Sequence, residues 1–129
     1  MAATIPISLV AVLGLANAIW MLVAPFHWYE NLPAGVPDYG PFNLHFVRDI
    51  GAAYLTASLG LIWGLLRPPV RTPAVALAAL FYGLHAAIHV YDTLVGHVGM
   101  HHAWLDIPGV YLPAVLLALA LAACRTRPS

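Results

Sequence analysis

The sequence predicts an all-α integral membrane protein, a four-helix bundle built from two repeated helical hairpins. Three observations predict it. Of the 129 residues, 62% are hydrophobic and only 8% are charged, with a mean hydropathy of +0.84. A soluble domain carries about 25% charged residues, so this composition in water would leave large apolar patches exposed. Second, the apolar residues gather into four runs, each close to the roughly 20 residues that cross a bilayer as a helix. Third, the scarce polar residues recur in register between the two halves of the chain, which places a pseudo-two-fold axis along the membrane normal.

The first helix is expected from about Thr4 to Ala24. Ala16-Asn17-Ala18 has the small-x-small shape of a signal cleavage site, but no Lys or Arg precedes the apolar run, so the segment is read as a retained span. The connection that follows carries Pro33, Gly35, Pro37, Gly40 and Pro41, which disfavour continued helix. The second helix is expected from about Phe46 to Leu66, closed by Pro68 and Pro69. The third runs from about Pro73 to Tyr91. A Gly- and His-rich connection, residues 92–102, leads to the fourth, about Ala103 to Ala123. Pro108 and Pro113 should bend this last helix, as membrane helices tolerate. The hairpin repeats span about residues 4–66 and 73–123, in a single transmembrane domain covering residues 1–129.

Arginine placement gives the orientation. Arg67 and Arg71 lie between helices two and three, and Arg125 and Arg127 follow helix four. The positive-inside rule puts these segments and both termini in the cytoplasm of a cell inner membrane. All five acids (Glu30, Asp38, Asp49, Asp92, Asp106) and all seven histidines fall toward the other side. Zero net charge and the absence of Lys exclude a nucleic-acid surface. The single cysteine, Cys124, excludes an internal disulfide and CxxC redox chemistry.

The repeat is carried by polar residues. His45-x-x-x-Asp49-Ile50-x-x-x-Tyr54-Leu55 matches His102-x-x-x-Asp106-Ile107-x-x-x-Tyr111-Leu112 at an offset of 57 residues. His27-x-Tyr29-Glu30 matches His89-x-Tyr91-Asp92 at an offset of 62. Positions three or four apart share a helix face, so His45 with Asp49, His102 with Asp106, and His85 with His89 and Asp92 form three polar stripes. His27 and Glu30 form a fourth if helix persists past Pro25. Were all four to face inward, the outer half of the bundle would gather a metal-site composition.

The expected ligands are His27, His45, Asp49, His85, His89, Asp92, His102 and Asp106, with Arg48, Tyr54, Tyr111 and Glu30 around them. Imidazole with carboxylate suits Zn, Fe, Mn or Cu. The sequence therefore reads as a small membrane metal-binding protein, possible as a non-haem metalloenzyme that hydrolyses or oxidises a lipid-like substrate. Soluble four-helix di-iron proteins resemble it only in setting His and carboxylates in a bundle core; their Glu-x-x-His motifs are missing here.

Alternative readings compete with this one. Two histidines such as His45 and His89 would serve as axial ligands of a b-type haem. An accessory subunit would use the polar cluster only to hold helices together. Helix dipoles alone account for Asp49 and Asp106 in first turns and for His27 and His89 in last turns. Ion or proton transport finds no continuous polar path through the inner half. In the last connection, His97, Met100 and His101 form a weaker copper-type grouping. Asn17 and Thr56 are expected to hydrogen-bond between helices, and Gly14, Gly51 and Gly60 to allow close helix approach.

Overall fold

The structure, a computed structural model, describes residues 3–126; Arg127, used above for orientation, lies outside them. The described residues form helices and turns without a strand. Helix α1 spans Thr4–Val23 and stops at Ala24, the residue before Pro25, where a helical backbone is disfavoured. Helix restarts at once as the short α2, Pro25–Asn31. A 3₁₀ turn, Val36–Tyr39, follows between Gly35 and Gly40, whose φ values of 65° and 138° favour glycine.

Helix α3 spans Leu44–Leu66 and opens on an Asn43 cap, whose Oδ1 accepts the Phe46 N–H at 3.1 Å. Arg67 precedes Pro68, so α3 ends there, and Pro68 opens α4, Pro68–Leu94. The connection is thus shorter than the six residues expected, because a proline is well suited to a helix's first position. Arg71, now inside α4, donates Nε–H to Gly64 O at 3.1 Å and Nη2–H to Leu65 O at 3.2 Å. These bonds satisfy carbonyls that the end of α3 leaves open.

Helix α4 ends at Leu94, and Gly96, with a φ of 80°, turns the chain just beyond it. The last span is interrupted. Helix α5, His102–Leu105, passes through a π-helical segment, Ile107–Tyr111, into α6, Leu112–Arg125. Pro108 has no N–H to continue the α pattern, and Asp106 O instead accepts from Val110 N at 2.8 Å and Tyr111 N at 3.2 Å.

α1, α3, α4 and the α5–α6 span make an up-down-up-down four-helix bundle. Around it, α1 packs on α3 and α6, and α4 packs on α3 and α6. Small residues set the spacing. A Cβ on Gly51 would lie 3.0 Å from Met21 Cβ, and one on Gly14 would lie 2.5 Å from Tyr82 Oη and 2.7 Å from Ser58 Oγ. Gly60, expected to act likewise, has no neighbour within 4 Å of such a Cβ. Thr56 also departs from expectation: its Oγ1 donates to Ala52 O of its own helix at 2.9 Å, on an exposed face. Asn17 does bridge elements, accepting Trp28 Nε1–H of α2 at 2.8 Å.

The core is Ile7, Val10, Ala11, Ala18 and Met21 of α1, with Val47, Tyr54 and Leu61, Val75, Ala78 and Tyr82, and Leu117 and Ala120 from the other helices. The outer faces are apolar too: Leu13, Ile19, Leu59, Leu80, Leu84, Ile88, Val115 and Leu119 are exposed. Among the described residues, four helices are long and apolar enough to cross a membrane. Outward-facing Leu, Ile and Val are what a bilayer solvates and water does not.

Candidate metal centre

Asp106 and His102 share one face of α5 and its exit, four residues apart, and both are 0% exposed. The 3₁₀ turn folds over them. Its Tyr39 donates Oη–H to Asp106 Oδ2 at 2.7 Å and lies 2.9 Å from His89 Nδ1. His89 Nδ1 lies 2.8 Å from the same carboxylate oxygen. Burial, then the hydrogen bond to Asp106 and its negative charge, push the Tyr39 hydroxyl well above the usual phenol range, so Tyr39 stays a donor.

On the outer side of Tyr39, Asp38 Oδ2 lies 3.0 Å from His102 Nε2 and 3.7 Å from His101 Nε2. One ligand atom from each of Asp38, His101 and His102 falls within 4.8 Å of the other two. A zinc ion with bonds of about 2.0–2.1 Å holds tetrahedral ligand atoms about 3.3 Å apart. Asp38 and His101 are exposed and free to close that spacing, whereas His102 is fixed. The ring of His102 is held between Tyr39, at 4.8 Å between centroids, and the backbone of Gly35, where a Cβ would come within 3.0 Å of its Cε1.

Of the residues singled out in the sequence, His102, His89 and Asp106 meet at this end of the bundle, and His85 joins them, its ring 4.6 Å from that of His89. The others do not converge. His45 and Asp49 pair with each other at 3.3 Å on the outside of α3, 89% and 62% exposed, and Arg48 is exposed beside them. The reason is helical phase. α3 buries Val47, Gly51, Tyr54, Ser58 and Leu61, and positions 45 and 49 lie about 200° around the helix from Val47. The two halves of the motif therefore occupy different environments, and the eight-residue ligand set is not gathered.

His27, on α2, accepts Trp20 Nε1–H at 3.1 Å and is exposed, as is Glu30. Asp92 pairs with loop His97 at 3.1 Å. Tyr54 packs edge-on against Phe81, Tyr82 and His85, and Tyr111 is half-buried in the π segment. For the haem alternative, His45 and His89 are engaged with different partners on different faces. Sequence reasoning missed Asp38 and Tyr39. The available signal was the Asp-Tyr pair between Gly35 and Gly40, a turn able to project two adjacent polar side chains to opposite sides.

Fold and site together define a helical bundle with four candidate membrane spans among the described residues and a His/Asp group at its loop end that could hold a metal ion. No protein-family model, curated protein or solved structure matches the chain.

Proposed function

We propose that this protein binds a transition metal through Asp38, His101 and His102 at the outward end of a four-span bundle. The convergence of those three donor atoms is the observation that carries the reading. Two imidazoles and one carboxylate are a donor set suited to zinc or ferrous iron, with coordination positions left for water or substrate. Such a centre serves a non-haem metalloenzyme, and the apolar helix faces around it favour a lipid-like substrate arriving from the bilayer. Arginine placement supports an orientation: Arg67, Arg71 and Arg125 sit at the end opposite most acids and histidines, and the positive-inside rule favours that end in the cytoplasm and the centre on the other side.

The test is zinc content of detergent-purified protein after depletion and reloading. Wild type should hold about one zinc at this centre. Asp38→Ala and His101→Ala, both at exposed positions, should weaken binding at least about 100-fold, beyond the loss typical of an outer-shell partner. His45→Ala and His97→Ala should bind as wild type. Less than about a tenth of a zinc or iron per reloaded wild-type chain contradicts the reading, since a site of this composition binds tightly. Equal binding by Asp38→Ala and wild type contradicts it as well.

A further inference from the structure

On the bundle side of Tyr39, three donor atoms meet that the centre above does not use. Tyr39 Oη, His89 Nδ1 and Asp106 Oδ2 form a triangle with edges of 2.7, 2.8 and 2.9 Å. Protons cannot fill it. The hydroxyl has one proton, and Nδ1 either carries one or accepts one. Whichever tautomer His89 adopts, and whether or not Asp106 is protonated, at most two protons lie along the three edges. One edge therefore brings two atoms to hydrogen-bond distance with no proton of its own between them. In addition, Asp106 Oδ1 is buried without a hydrogen-bond partner, in a residue 0% exposed. Burial of an unpaired carboxylate oxygen is costly.

A cation answers both observations. An ion about 2.0–2.1 Å from each atom would see the three at roughly right angles, as one face of an octahedron. The unpartnered Oδ1 belongs to the same carboxylate and would be available as a second oxygen for the ion. We propose that Tyr39, His89 and Asp106 form a second metal site, separate from Asp38–His101–His102, and that it takes ferric iron. Two anionic oxygens and one imidazole match a hard trivalent ion, and tyrosine has precedent as an iron ligand. On binding, the Oη–H bond breaks, the iron–oxygen bond forms and the proton leaves to solvent. No electron is transferred. His85, one turn deeper on α4, supports the His89 ring edge-on.

The experiment loads the purified full chain with ferric citrate and records visible absorption and resonance Raman spectra. Bound iron should give a tyrosinate-to-iron charge-transfer band with tyrosinate ring modes. Tyr39→Phe should abolish the band and lower iron affinity at least tenfold. Asp38→Ala and His101→Ala should keep it, so failure of the outer zinc centre and failure of this site are read separately. Tyr29→Phe, Tyr54→Phe, Tyr82→Phe, Tyr91→Phe and Tyr111→Phe should each keep it, which assigns the band to Tyr39, the one remaining tyrosine, even if Tyr39→Phe does not fold. Iron-loaded wild type without the band overturns the proposal. So does a band that survives Tyr39→Phe or disappears when any of the other five tyrosines is replaced by Phe.

Discussion

The Asp106 carboxylate has no access to water and depends on Tyr39 and His89 for its hydrogen bonds. Tyr39→Phe keeps the ring and removes one donor, and removal of a partner from a buried acceptor costs about 1–3 kcal/mol. Reversible unfolding in mixed micelles should show a loss of that size. The same tyrosine gives a pH prediction. Its folded-state hydroxyl is raised above its unfolded value, so its contribution is complete below about pH 10, the ordinary phenol value, and declines as pH rises beyond it. An ultraviolet tyrosinate titration should accordingly leave Tyr39 un-ionised where exposed tyrosines ionise, and Tyr39→Phe should leave that alkaline end point unchanged. Gly35→Ala acts on the neighbouring residue. It places a Cβ at a left-handed position and against His102 Cε1, so it should lower both stability and zinc affinity, read in the same two assays.

The elements show which parts of this arrangement were legible beforehand. Lengths and most termini of the spans followed from apolar runs and from Pro68-Pro69 and survive within a few residues; the start of α4 does not, because Pro68 opens that helix well before the expected Pro73. Which polar stripe faces the bundle was harder to read, because spacing fixes only which residues share a face. In α3 the inward phase runs through Val47, Gly51 and Tyr54, and it turns His45 and Asp49 outward. In the last span, α5 and the π segment carry the same motif with His102 and Asp106 inward. Asp38 and Tyr39 were illegible for another reason: loop geometry, set by two positive-φ glycines, brings them to helices about 50 residues or more away in the chain. Helix spacing yields one more prediction. Gly14→Ala should displace Tyr82 and Ser58 and destabilise the bundle by about 1–3 kcal/mol, as overpacking does. Gly60→Ala, facing open space, should be neutral or stabilise by up to about 1 kcal/mol. Equal effects at the two glycines in micelle unfolding would contradict the close approach of Gly14 on α1 to the Ser58 and Tyr82 side chains.

The molecule as a whole is polarised along its long axis. Three arginines close one end, and carboxylates, imidazoles and the two folded connections close the other, with an apolar girdle between them. Buried polar groups at one end of an otherwise apolar bundle are expensive to keep in a bilayer, and that expense is the general reason to look for function there. Side-selective thiol labelling in intact cells checks the orientation. A reagent confined outside should reach a cysteine placed at Gly99 and should spare native Cys124, which lies at the arginine end. The central claim, a metal held by the outer His/Asp group, is tested most directly by X-ray absorption on zinc-loaded wild-type protein. The account predicts a nitrogen/oxygen shell at about 2.0–2.1 Å together with the outer-shell scattering of two imidazoles, which falls to one imidazole in His101→Ala. A shell of oxygens without imidazole scattering, unchanged in that variant, would contradict it.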